Sequence, residues 1–114
     1  MTDDALKKSI LSLIGISMKA GKIKAGEFQT EEAVKSGEAR LVIIAADASD
    51  NTKKKFSDKC TFYEVPTFIF GTKEELAHAI GKENRSSMAV TDEGLAKSLN
   101  SKLSNLKKTQ EEPA

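Results

Sequence analysis

Apolar residues recur along this chain in two rhythms, one helical and one strand-like, that alternate from end to end. Between residues 3 and 18, Leu6, Ile10, Leu13, Ile14 and Ser17 fall at helical spacing. Lys7, Lys8 and Ser12 take the other faces, and Asp3 or Asp4 is placed to cap the start. Gly21 ends this helix. A short extended piece over residues 22–25 leads into a second helix from Gly26 to Ser36, closed by Gly37, with Thr30, Ala33 and Val34 facing inward. Leu41 to Ala46 is apolar on both alternating sets, which predicts a strand covered on both faces. The polar run from Asp47 forms a loop and cap, and a third helix starts at Asn51 or Thr52. Phe62 to Phe70 reads as the next strand, with Pro66 placing it at an edge or delaying its start. Thr72 and Glu75 predict a capping box for a fourth helix that ends at Ile80-Gly81. Residues 82–87 are a polar loop, Met88 to Val90 a short strand, and Thr91 or Asp92 the cap of a last helix with its seam at Leu95, Leu99, Leu103 and Leu106.

Roughly five helices alternating with four strands predict the α/β class, as a three-layer α/β/α sandwich. Nothing in the chain separates two domains. A single domain over residues 1–106 is expected, followed by a disordered C-terminal tail over residues 107–114.

Composition narrows the function by exclusion. The chain has 114 residues with 18 Lys plus Arg against 17 acids, so net charge alone carries no polyanion-binding signature and any basic surface must come from distribution. The single cysteine, Cys60, excludes an internal disulfide and a cysteine-rich zinc site. No apolar run approaches the ~18 residues needed to span a bilayer, and the Thr-Asp-Asp start is unlike a signal peptide, so a cytoplasmic protein is expected.

The stretch with the most suggestive chemistry is Lys19-Ala-Gly-Lys-Ile-Lys-Ala-Gly-Glu-Phe-Gln-Thr30. It holds Lys19, Lys22 and Lys24 with no intervening acid, and Gly26 opens a helix whose first amide groups would face an anion. Lys53, Lys54 and Lys55 stand in the first turn of the third helix, where cations oppose the helix dipole. A phosphate-bearing partner and a plain solvated face both account for these lysines. The glycine spacing does not fit a nucleotide-binding phosphate loop, and Ile23 stands where a magnesium-binding hydroxyl would be needed. His78 lacks partners for metal binding, Cys60 suits a small buried hydrophobe, and loop chemistry accounts for Asp47 and Asp50. No nucleophile–base pair emerges. Neither an enzyme nor a cofactor is expected.

The run Lys19-Ala-Gly-Lys-Ile, Gly26-Glu-Phe-Gln-Thr, Ala33-Val34 and Gly37-Glu-Ala-Arg-Leu-Val-Ile-Ile-Ala-Ala-Asp-Ala-Ser, with Glu75-Leu-Ala-His-Ala-Ile-Gly-Lys and Arg85, resembles the ribosomal protein L-seven-Ae and L-thirty-e superfamily. Asp47-Ala-Ser-Asp-Asn-Thr-Lys-Lys-Lys, Asp58-Lys-Cys and Ala89-Val-Thr-Asp are most similar to its bacterial YlxQ-type branch. The resemblance covers about residues 5–105 and implies an L-thirty-e-like fold with a central four-stranded mixed sheet. It also implies binding of kink-turn RNA, a duplex sharply bent at a bulge, whose opened groove admits a helix N-terminus. By that resemblance Gly26 lets backbone approach RNA, Gln29 and Thr30 match the Gln-Thr pair of the L-thirty-e branch with Gln29 contacting a guanine edge, and Lys22 and Lys24 flank the RNA backbone. Lys82 to Met88 match a loop over the bulged base, with Arg85, Ser86 and Ser87 at its tip. The full expected RNA-binding set adds Lys19, Phe28, Lys53 and Lys54. The implied partners are kink-turn or ribosomal RNA, with ribosomal or translation-factor proteins beside it, and the protein is expected to be a monomer. Phe28 replaces the usual Asn or Lys and either stacks on a base or packs internally. Glu31 and Glu32 add negative charge near the expected phosphates. They favour a second reading, a protein-docking module of the same fold with little RNA affinity.

Overall fold

Leu41, Val42, Ile43 and Ile44 form strand β2 (Leu41–Ile44) and all are fully buried, the outcome of a strand that is apolar on both faces. Its neighbour β4 (Ser87–Val90) is likewise buried throughout. In this computed structural model, which describes residues 2–111, these two strands are the centre of a four-stranded sheet in the order β1-β4-β2-β3. The edges are β1 (Ile23–Ala25) and β3 (Thr67–Ile69). β4 is antiparallel to both its neighbours while β2 and β3 are parallel, so β1, β2 and β3 run one way and β4 runs against them. The sheet is therefore mixed.

Helices cover both faces and complete the α/β/α layering. α1 (Asp3–Lys19) packs on α5 (Glu93–Glu111) and on α4 (Lys73–Ala79), while α2 (Glu27–Ser36) packs with α3 (Asp50–Phe62). The α1 stripe Leu6, Ile10, Ile14 and Ser17 is buried at helical spacing, and Leu99, Leu103 and Leu106 of α5 meet the same core. Thr72 and Glu75 form the reciprocal capping box at α4. Asp92 accepts from the Leu95 amide at 2.9 Å to cap α5.

Several elements differ from the sequence pattern. The first helix is capped by Thr2, whose hydroxyl accepts from the Ala5 amide at 3.2 Å, leaving Asp3 and Asp4 inside the first turn. Ser49 caps α3, which starts at Asp50. The largest departure is the strand expected over residues 62–70: α3 runs on to Phe62, and only Thr67–Ile69 is strand. A paired motif ends α3, with the Val65 amide donating to the Cys60 carbonyl at 2.8 Å and the Glu64 amide to that of Thr61 at 3.3 Å. Its left-handed residue is Glu64, at φ 59°, where a glycine would have announced the stop. Pro66 does precede β3, and β3 is an edge. At the other end, α5 passes Leu106 and reaches Glu111, so residues 107–111 of the expected tail are helical. The rest of that tail, residues 112–114, lies outside the described residues.

This topology sorts the connections into two edges. The chain leaves β1, β2 and β3 at one edge and enters α2, α3 and α4 there, and the loop over residues 81–86 enters β4 at the same edge. Backbone hydrogen bonds knit it: Gly26 N–H to the Ser87 carbonyl at 3.0 Å, Ala45 N–H to Ser86 at 2.9 Å, and Ala46 N–H to Gly71 at 2.7 Å. An Asp47 carboxylate oxygen accepts from the Lys73 amide at 2.8 Å, tying the α3 entry to the α4 start.

Candidate nucleic-acid interface

The carboxyl edge of the strands gathers most of the residues expected to touch RNA. Gly26 is the N-cap of α2 with φ 98° and ψ 155°, a backbone conformation that a side chain strongly disfavours. A β-carbon added to it would lie 3.9 Å from Cδ and Nε of Arg85, so the arginine stem crosses directly over the helix start. Having no side chain to cap with, Gly26 leaves the first amides of α2 without a side-chain acceptor. Phe28 and Gln29 project from the first turn and are exposed, Phe28 by 77%. That exposure decides the Phe28 alternative. It does not pack internally.

The second helix start lies alongside. The Lys55 ammonium lies 3.3 Å from a Glu27 carboxylate oxygen and 2.5 Å from one of Glu31, and Lys59 is 4.0 Å from Glu31. Contacts that advance together along both helices mean that α2 and α3 run parallel, so both positive helix ends face one edge. Lys53 and Lys54, in the first turns of α3, enter no ion pair among the described residues. Lys82 is exposed in the loop on the other flank, and Arg85 and Ser86 are half-buried at its end. Within that loop Asn84 takes φ 46°, and the Arg85 guanidinium donates back to the Glu83 and Asn84 carbonyls.

Five expected residues lie elsewhere. Thr30 is fully buried on the inner face of α2, its hydroxyl pointing to the Lys24 carbonyl at 3.5 Å, so the threonine of the Gln-Thr pair serves the fold. Ser87 is the first residue of β4 rather than a loop tip; it is fully buried, and its hydroxyl has no partner among the described residues. It shares a sheet face with Ala89 and Lys24, and two small side chains there let α2 approach β4 closely. Lys19 and Lys22 sit at the opposite end of β1. The Lys22 carbonyl accepts from the Thr91 amide at 2.9 Å, and its Cα lies roughly 13 Å from that of Gly26, four residues of extended chain. Lys24 stands between, on a groove with Gly37, Arg40 and Thr91. Three lysines close in sequence are thus spread from the end of α1 to the middle of β1.

The acids of α2 are less available than their sequence position implies. Glu31 is held by Lys35 at 3.3 Å as well as by Lys55 and Lys59. The hydrogen bond from Lys55 draws the Glu31 carboxyl below its ordinary range, against a smaller opposing effect of burial. The same bond raises the Lys55 ammonium, again against burial. Glu32 is exposed. Burial pushes the Cys60 thiol up, consistent with a core residue. His78 is exposed, and no cluster of metal-binding side chains occurs among the described residues. No helix there is long and apolar enough to cross a membrane.

The protein-family model "Ribosomal protein L7Ae/L30e/S12e/Gadd45 family" matches residues 8–100. The chain is 41% identical over 91 residues to the RNA-binding protein YlxQ of Enterococcus faecium, covering 80% of this chain and 87% of that one. It is 41% identical over 87 residues to YlxQ of Bacillus subtilis strain 168, covering 76% and 87%. Among solved structures, a protein of unknown function from Bacillus halodurans superposes with TM-score 0.81 at 38% identity, over 83% of this chain and 96% of that one. The 15.5 kD RNA-binding protein of Giardia lamblia superposes with TM-score 0.76 at 26% identity, over 90% of each.

Because the folded Glu31 carboxyl is lowered, its stabilising contribution is present above the unfolded value and lost as pH falls through the folded one. Chemical denaturation of wild type and Glu31→Gln should therefore show a gap at pH 7 that closes below about pH 4. A gap independent of pH would mean that the ion cluster contributes nothing to folding.

Proposed function

Because the chain belongs to the ribosomal protein L7Ae/L30e/S12e/Gadd45 family, we propose that it is a non-catalytic RNA-binding protein that recognises kink-turn-like RNA, ribosomal RNA among its targets. The observation that carries this reading is the convergence at one sheet edge of two parallel helix N-termini, a glycine without a cap, and the Arg85 stem crossing it. Uncapped amides and helix dipoles favour phosphate. Arg85, Lys53, Lys54 and Lys82 add cations around them, and Gln29 offers both donor and acceptor to a purine edge. A straight A-form duplex would not admit such a helix start to its narrow major groove, whereas a sharp bend opens it.

Phe28 gives the interface a feature of its own. An aromatic ring exposed on the first turn of α2, beside those amides, is placed to stack on an unpaired base. The names of the relatives, RNA-binding protein in YlxQ and in the Giardia structure, support RNA as the partner class. The protein-docking alternative rested on Glu31 and Glu32, and Glu31 is largely consumed by lysines of its own chain.

Gel-shift titration at about 100 mM salt should show at least ~10-fold tighter binding to a kink-turn RNA than to a straight duplex of equal length. Equal affinities would contradict shape recognition. Gly26→Val should weaken kink-turn binding by about tenfold or more, since a β-branched residue resists the φ 98°, ψ 155° cap conformation by roughly 1–3 kcal/mol and would shift the helix start. Circular dichroism should report a retained fold. Phe28→Ala should leave stability unchanged and cost about 1–3 kcal/mol of affinity for an RNA with an unpaired base at the bend, with Phe28→Trp retaining it.

A further inference from the structure

The α2–α3 ion cluster sits where an RNA-binding edge would be harmed by acids. Glu27 is the first residue of α2, immediately after Gly26, and its carboxylate favours the helix dipole at that end. Left free, the same carboxylate would face any phosphate drawn to the uncapped amides. Instead it is turned sideways onto α3, where Lys55 meets both Glu27 and Glu31. Glu31 has two further lysine partners, but Lys55 is the one cation paired with Glu27 among the described residues. Lys55 also differs from its neighbours Lys53 and Lys54, which pair with nothing there.

We infer that Lys55 is a positioning residue for RNA binding: by holding the Glu27 carboxylate against α3, it keeps that charge off the helix start and leaves the α2 amides to the phosphate. This rests on the RNA-binding reading and deepens it. Lys55 does not touch RNA. Its loss frees Glu27 to swing toward the ligand, and a carboxylate within several ångströms of a phosphate weakens binding by about threefold to fivefold at low salt. The acid therefore stabilises the helix without opposing its ligand.

A double-mutant cycle at about 20 mM salt, with a kink-turn RNA as probe, separates this from the alternatives. Lys55→Met should bind about threefold to fivefold more weakly than wild type, and Lys55→Arg should bind normally. Glu27→Gln should change wild-type affinity by less than about twofold yet restore most of the loss in the Lys55→Met background. Equal effects of Glu27→Gln in both backgrounds, with a salt slope reduced by about 0.9, would make Lys55 a direct phosphate contact and overturn the inference. Unchanged affinity in Lys55→Met would overturn it too. Wild type failing to bind the probe would remove the RNA reading itself, and the inference with it. Without RNA, NMR titration should find the Glu31 carboxyl moved up toward its ordinary range in Lys55→Met; an unmoved Glu31 would show that the cluster does not form.

Discussion

The hydrogen bond from the Gly26 amide to the Ser87 carbonyl fixes everything that matters at the candidate interface. It extends the β1–β4 ladder by one step and then lets the chain turn into α2 at an angle that only a positive φ supplies. It thereby pins the start of α2 beside the end of the loop over residues 81–86, which places the Arg85 stem over the helix entrance. The β1–β4 ladder brings the two segments together, although Gly26 and Arg85 are 59 positions apart in sequence, and this bond carries the pairing to the first residue of the helix entrance. With it they form one surface, backed by a sheet whose central strands are wholly buried.

Most of the layering was legible in residues. Leu41–Ile44 announced a central strand because both alternating sets are apolar, and the spacing of Leu6, Ile10, Ile14 and Ser17 announced the buried face of α1. Thr72 and Glu75 announced a cap. The largest failure, the strand expected from Phe62, comes from a missing punctuation mark. Glu64 takes the left-handed position that ends α3, and nothing about glutamate signals it. Phe62 and Tyr63 then look like the opening of a strand although both are exposed, packed edge to face on one another at 4.9 Å.

The candidate site was legible as a list and illegible as a shape. Gly26, Phe28, Gln29 and Arg85 do meet at one edge, but Lys19 and Lys22 are carried away from them because an extended strand advances its residues rather than gathering them. Thr30 faces inward, as its helical spacing with Ala33 and Val34 already indicated against its expected RNA contact, and Ser87 does so because β4 begins at it rather than after it. The ion cluster was hidden for a different reason. Glu27 and Lys55 are far apart in sequence, and only the parallel packing of α2 on α3 reveals that a lysine in an unfavourable dipole position is paired with acids of the next helix.

The central claim, that RNA docks on the edge where α2 and α3 begin, is tested most directly by amide chemical-shift mapping during titration with a kink-turn RNA. The account predicts large perturbations at Gly26, Phe28, Gln29, Lys53 and Arg85, with Lys19, Lys22 and Thr91 at the far edge nearly unmoved. Perturbations centred on that far edge, or spread evenly over both, would contradict it.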